Sequence, residues 1–375
     1  MRAVLLVAVL AAPAHADVSV GASIGAGAQG ASTYGALELR LDASWERARL
    51  GLGARGVWDD AVFRRSDWSG LESVVTLVRD AEVTHEVGST RLALAVGALA
   101  PARIGTIVDG YRVALDDRWR TGVRAAAMHE HLDITVELDD VLDPALVAAG
   151  TRYAMAPPWA MHLAFAIDPR APAMDGAHRV AAIEAGVGRR YQGDRVRLDA
   201  GASVVAEISL GASVVASGAA VFERAGIRWS GRADARAGTG TVGSLFGPLY
   251  RIERLAHGDR ASLWNRARDG ELSGASAGAA LGATVPAGWL ELGARTRPGL
   301  GPLVTASGGA PMGRWVQAGL WAAIGRYDAA GAAELRVAWA KTLFSALQAA
   351  RIYRVDAMDP VALWSVTAWF GAATE

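Results

Sequence analysis

Hydrophobic and polar positions alternate with period two along most of the chain. In "YGALELRLDASW", Leu37, Leu39, Leu41, Ala43 and Trp45 share one side, and Glu38, Arg40, Asp42 and Ser44 share the other. A strand sends successive side chains to opposite faces, so this spacing gives one apolar and one charged face; a helix would scatter both around its circumference. "RARLGLGARGVW" repeats the arrangement, with Ala48, Leu50, Leu52, Ala54 and Trp58 against Arg47, Arg49 and Arg55. In "HLDITVELDD", Leu132, Ile134, Val136 and Leu138 alternate with His131, Asp133, Thr135, Glu137 and Asp139. "RVRLDAGAS" sets Val196, Leu198, Ala200 and Ala202 against Arg195, Arg197, Asp199 and Ser203. Such segments run for roughly 9–12 residues, which suits a tilted membrane-crossing strand better than an average globular one.

One stretch departs from this pattern. Ala200 to Phe222 is small and apolar, contains GASVVA twice, and matches the length of a membrane helix. Its glycines, its β-branched residues and Glu207 near mid-span argue against a helix in lipid. The preceding alternation also runs through it unbroken. It is therefore expected to be a hairpin, with a short periplasmic turn at Glu207–Gly211 and an inner face short of charge. Another element, such as the basic loop Leu249–Gly270, could lie against that face.

The connections alternate between short and long. Tight links at Glu46-Arg47, Gly88–Thr90 and His129–His131 are followed by longer ones at Asp59–Asp67, Pro101–Arg118 and Asp140–Pro158. Tryptophan is abundant, 13 in all, and Trp45, Trp58, Trp159, Trp289, Trp315 and Trp364 fall at or near strand ends, where an interfacial girdle would stand. "LFSALQAARIYRVD" from Leu343 shows helix-like spacing and is expected to be a loop helix or an irregular strand.

Composition narrows the class. The opening "MRAVLLVAVLAAPAHA" places one arginine before a short apolar run and ends on Ala14-His15-Ala16, the small-residue pattern of a secretory signal. Residues 1–16 are expected to be cleaved, leaving 17–375 as one unit. The chain has no cysteine, so disulfides, thiolate metal sites and thiolate catalysis are excluded. With 38 basic and 38 acidic residues it carries no net charge and gives no electrostatic case for nucleic acid.

Signal sequence, amphipathic strands, aromatic strand ends and loop asymmetry together resemble the bacterial outer-membrane β-barrel family, in particular porin-like channels. The resemblance covers most of residues 18–370 and carries no family-specific motif. It implies an all-β fold: a single transmembrane, antiparallel, up-and-down barrel in the outer membrane of a Gram-negative bacterium. About 16 strands are expected, within bounds of 14 and 18, and an even number if both termini lie in the periplasm. It implies outer-membrane lipids, lipopolysaccharide and the outer-membrane assembly machinery as partners, and small hydrophilic solutes as cargo. Such barrels commonly end on an aromatic residue; here Trp369-Phe370 is followed by "GAATE".

On this reading the inward charges line the pore: Glu38, Arg40, Asp42, Arg47, Arg49 and Arg55 early in the chain, then Asp133, Glu137, Arg195, Arg197 and Asp199. These charges either filter ions or pair with one another to stiffen the wall, and one residue can do both. The candidate constriction loop holds Arg251, Glu253, Arg254, Arg260, Arg266 and Arg268. It narrows the bore, touches lipopolysaccharide phosphates, or is simply solvated. "HEH" at His129–His131 lacks a visible third ligand beyond nearby Asp133, so no metal is expected. "GASIG" around Ser23 and "GASAG" around Ser276 match a nucleophile-elbow motif by letter, and "GAGAQG" from Gly25 a dinucleotide motif. None lies at a strand-to-helix turn. No enzyme activity and no cofactor are expected. The function expected is passive diffusion of small hydrophilic solutes. The alternatives are a non-conducting structural or assembly barrel and a barrel enzyme acting on lipid or peptide. A conduit for hydrophobic substrates and a soluble periplasmic β-protein are weaker readings.

Overall fold

A computed structural model describes residues 17–373 apart from 30–31, 61, 65–74, 76, 100, 113–119, 174–175, 209, 240–245, 257–260, 313–314, 341 and 357–358. Residues 1–16, Arg260 and His257 thus lie outside the described residues. The alternating segments form one antiparallel sheet that closes on itself. The first strand, Asp17–Gln29, pairs with both Ser32–Trp45 and the last strand, Asp359–Ala373. Val62–Phe63 merely extends one neighbour, so among the described residues twenty strands make the ring.

The class is the expected one; the strand number exceeds the expected range. Val147–Ala154 lies within what the sequence suggested was one long loop, Asp140–Pro158. Its run "VAAGTRYA" is too poor in large residues to announce a strand, and pairing with Leu132–Leu138 and Trp159–Ala173 supplies what propensity does not. Leu343–Asp356 is a fourteen-residue strand, not a loop helix, because it has partners on both edges. The ladder satisfies its backbone, as any segment crossing lipid requires.

Nine connections, from 46–47 round to 339–342, have two to four residues, and both described termini lie at their end of the barrel. The long connections 60–77, 98–121 and 239–273 all leave the opposite end. The turn after Glu207 is where the alternation placed it, with Val196–Glu207 passing into Gly211–Arg224. It lies at the long-loop end, however, so it is not a periplasmic turn. Local spacing locates a turn; which end it occupies depends on counting every strand before it.

The outer wall is a band of exposed Leu, Ile and Val, including Leu37, Leu39, Ile134, Leu163, Val204, Leu292 and Leu347. Outward aromatics, Tyr153, Trp159, Tyr191, Phe222 and Trp229, gather near the short-turn end, and Phe222 stacks on Trp229 across the hairpin. This is the distribution of a barrel held at a membrane interface. Trp289 is the exception to the girdle: it sits on the same face as Glu291 and Arg295 and points into the bore.

Candidate functional site: a bore narrowed by two in-folded loops

Two of the long connections turn back into the barrel. The first carries a small hairpin, Ala102–Ile104 paired with Val108–Tyr111. The second carries two short helices, α1 (Tyr250–Glu253) and α2 (Leu263–Arg268). Phe246 ties them together, its N–H donating to the Ile107 carbonyl and its carbonyl accepting from Asp109 N–H. Between loops and wall lies an apolar core. Ile104, Ile107, Val108 and Tyr111 come from the hairpin, Phe246, Tyr250, Leu263 and Trp264 from the helical loop, and Ala166, Ala182, Val205 and Val215 from the wall.

The wall contribution explains the odd composition of residues 200–222. Val205 and Val215 are inward residues of that hairpin, and both are buried under the loops. Apart from Glu207, buried at the end of its strand next to the turn, the inward residues of the hairpin between residues 200 and 222 are small and uncharged and leave room for a second layer. Each aliphatic side chain so covered stabilises the arrangement by about 1.5–3 kcal/mol relative to exposure. The basic loop therefore lies against the wall and fills part of the bore.

The hairpin tip rests on Glu184, a fully buried carboxylate of strand Gly176–Gln192. Thr106 N–H donates to Glu184 Oε2 at 2.6 Å, its hydroxyl to Oε1 at 3.0 Å, and Ser203 Oγ to Oε1 at 2.7 Å. His162 Nε2 lies 3.1 Å from the same oxygen. From the other side, Arg236 Nη2 donates to the Thr106 carbonyl and hydroxyl oxygens, both at 2.9 Å. Gly105 makes this contact feasible. Its φ is +58°, and a Cβ there would stand 2.3 Å from Glu184 Oε2.

Ion pairs fix the hairpin's flank. Asp109 meets Arg232, Arg295 at 3.2 Å and Arg103 at 3.5 Å; Glu291 takes Arg103 at 2.6 Å and Arg232 at 3.4 Å. Burial alone would raise the Asp109 carboxyl, but the Arg232, Arg295 and Arg103 guanidiniums outweigh it and hold it below the usual range. Arg112 follows the hairpin and lies over the Trp321 ring, 4.4 Å from its centroid. Burial and the neighbouring Arg103 push its guanidinium down to about 10. Tyr111 donates to Asp139, which also accepts from Arg251 and from the N–H groups of Ala145 and Leu146. These buried partners push the Tyr111 hydroxyl well above its ordinary value, burial first and the Asp139 charge second.

Of the residues expected to line the pore, Glu38, Arg40, Asp42, Arg49 and Arg55 do face the bore. Arg40 binds Asp42 at 2.7 Å and Asp80 at 2.8 Å, and Arg49 reaches Asp80 at 3.1 Å. Asp133, Glu137, Arg197 and Asp199 also face inward; Glu137 holds Arg124 at 2.6 Å, and Asp199 holds Arg190 at 2.6 Å and Arg197 at 2.8 Å. Arg47 and Arg195 do not line the wall. They sit in the turns 46–47 and 193–195, because the alternation in the letters continues past the point where the chain reverses.

Arg251, Glu253, Arg254 and Arg266 are buried in the loop core: Arg254 binds Asp168 at 2.8 Å, Arg297 reaches Glu253 at 2.8 Å, and Arg266 reaches Glu271 at 2.8 Å. Arg268 is exposed. Sequence reasoning missed Arg103, Asp109 and Arg112, since nothing in "PARIGTIVDGYR" says that a loop enters the bore. Their wall partners, Arg232, Glu291 and Arg295, stand in the alternating runs "RADAR" and "LELGAR", which the sequence reading did not single out. His129 lies at a turn, with Nδ1 3.1 Å from the Ser89 and Thr90 hydroxyls. Ser23 and Ser276 lie within strands.

Among the described residues, two cavities border the in-folded hairpin. The larger, about 1020 Å3, runs along the side of the barrel away from the apolar core; the smaller, about 540 Å3, lies among His162, Arg152, Arg190 and Asp199. Arg103 and Asp109 border both. The larger is lined by five arginines (Arg103, Arg112, Arg124, Arg232, Arg295) and five carboxylates (Asp109, Glu137, Asp234, Glu291, Glu334).

Apolar outside, charged inside and partly filled by its own loops, the chain is a transmembrane β-barrel of the outer-membrane type. No protein-family model and no curated protein matches it. The solved structures it is similar to include three from Pseudomonas aeruginosa. OpdK, solved with vanillate, is 9% identical with a TM-score of 0.38 over 96% of this chain and 98% of that one. OprD is 10% identical, with a TM-score of 0.39 over 96% of each chain. OpdL is 11% identical, with a TM-score of 0.37 over 96% and 99%. What this bore does is read from its own residues.

Proposed function

We propose that the protein is a porin-like channel of the bacterial outer membrane, passing small hydrophilic solutes by passive diffusion. One observation carries the reading: beside the packed loops, about 1020 Å3 of the bore stays open and is lined by balanced charge. Polar solutes find hydrogen-bonding walls there, while the Asp109–Arg232–Arg295 cluster limits size and tempers ion selectivity. No step in this function calls for a cofactor or a nucleophile.

The apolar core inside the bore favours a second reading, a non-conducting barrel whose loops serve another role. Planar-bilayer recording of the refolded protein separates the two. Discrete conductance steps, larger in Asp109→Ala, support the channel. Correctly folded barrel, judged by heat-modifiable gel migration, that gives no steps defeats it.

A further inference from the structure

We infer that the open side of the bore carries a binding shelf for a neutral pyranose sugar, a reading that deepens the channel proposal by naming its solute class. The shelf is one row of residues directly opposed in strand register. Trp289 faces Gly309, Gly309 faces Gly319, Gly319 faces Glu334, and Glu334 faces Gln348. All five share the lumen face with Glu291, Trp321 and the rest of the cavity wall. An indole thus stands at one end, a carboxylate and an amide at the other, and two glycines form the floor between them.

The glycines shape the shelf. A Cβ on Gly309 would stand 3.1 Å from Trp289 Nε1, so the bare backbone lets the indole lie across the next strand. Trp289 is still 49% exposed, leaving ring surface for a ligand. At Gly319 a Cβ would meet nothing within 4 Å, so the floor is open space. With strands about 4.8 Å apart, the backbones of Trp289 and Glu334 stand roughly 14 Å apart; the indole covers the first interval and leaves roughly 10 Å, room for a sugar ring lying flat.

The polar groups at the far end are available. No described side chain engages the Glu334 carboxylate or the Gln348 amide, nor that of Gln317, two residues from Gly319 on the same face. The nearby cations are otherwise placed: Arg336 lies 4.0 Å from the Phe344 ring centroid, and Arg112 lies over Trp321. A pyranose combines an apolar C–H face, which an indole accepts, with adjacent hydroxyls that both donate and accept. The amide offers donors and an acceptor, and the carboxylate offers acceptors, in matching fashion. Among the described residues lining the cavity, arginines and carboxylates are equal in number, so the count of charges selects neither an anion nor a cation.

The probe is maltose, with benzoate and arginine as charged comparators, added to single channels in planar bilayers and titrated calorimetrically into the detergent-solubilised barrel. Maltose is expected to interrupt the current and to give binding heat. Gly319→Leu, which fills open space without a backbone conflict, and Trp289→Ala should each raise the required concentration about tenfold or more. Glu334→Gln, which keeps the shape, should weaken binding less than Glu334→Ala. Interruption by benzoate or arginine but not by maltose overturns the sugar assignment and leaves the channel standing. Maltose heat that Gly319→Leu does not reduce also overturns the shelf. If the folded protein conducts no ions, the channel reading fails, and the calorimetry alone decides the shelf: heat lost in Gly319→Leu upholds it, and absent heat overturns it.

Discussion

The two sides of the bore use small inward residues in opposite ways. On strands Trp159–Ala173 to Gly211–Arg224, the inward Ala166, Ala182, Val205 and Val215 are covered by the hairpin and the helical loop. On strands Gly288–Arg295 to Leu343–Asp356, the inward Gly309 and Gly319 are, among the described residues, met only by one indole, and the cavity stands beside them. Small residues on a wall therefore do not by themselves make a pore. They make space, and the loops decide which space is filled. The loops fill the side where an apolar surface and buried anchors, Glu184, Asp168 and Asp139, are ready for them; on the other wall they cover only the long-loop ends of the strands, where Leu249 and Ile252 pack on Leu303, Ala323 and Ala330.

A charge placed on each side separates the two most sharply. Val205→Asp buries an unpaired carboxylate in the loop core and should cost several kcal/mol, visible as a lower denaturation midpoint or expelled loops. Gly319→Lys, in open space and facing Glu334 across the ladder, should change stability by less than about 0.5 kcal/mol. Similar losses from both would erase the distinction between a filled and an open side.

Next in size is the hairpin's ionic flank. Asp109→Ala leaves Arg232, Arg295 and Arg103 facing one another and should release the hairpin, at about 2–4 kcal/mol. Single-channel conductance should rise, and reversal potentials in a salt gradient should shift toward anions.

The same contact sets a pH response. Because the folded Asp109 carboxyl lies below its unfolded value of about 3.9, its contribution is present above that value and disappears as pH falls through the lower, folded one. Conductance should therefore stay level from pH 7 to about 4 and rise only below it. Asp109→Asn should abolish that low-pH rise; a transition near neutrality in the parent would contradict the assignment.

A subtler change is Glu184→Gln. The amide oxygen still accepts from Thr106 or Ser203, but the charge and one acceptor are lost, for about 1–2 kcal/mol. More frequent current flicker with little change in melting is the expected result. Smallest of all, Arg197→Ala should alter stability by no more than about 0.5 kcal/mol, since Arg197 is exposed and Arg190 still holds Asp199.

Much of the wall was legible in the letters because a strand's two faces are a local property with period two. Leu37, Leu39 and Leu41 against Glu38, Arg40 and Asp42 need no tertiary information to be sorted. The hairpin within residues 200–222 and the position of its turn were equally readable, but not the end at which the turn lies nor that Glu207 is buried on the inward face. The strand number was not, because "VAAGTRYA" and "LFSALQAARIYRVD" are strands only by virtue of their neighbours. The turns that swallowed Arg47 and Arg195 show the same limit: alternation in sequence does not report where the backbone reverses.

The sequence by itself determined an amphipathic, cysteine-free chain of antiparallel strands with charge on one face and lipid-compatible side chains on the other. Closure, strand number, the end at which each turn lies and the burial of Arg251, Arg254 and Arg266 were decided by tertiary structure. So was the inward turn of Trp289, which its place near a strand end had assigned to the membrane girdle. The reason is distance. Face and period are set by adjacent residues, whereas the bore is assembled from groups such as Asp109 and Arg295, which lie far apart in the chain and meet only once the ring has closed.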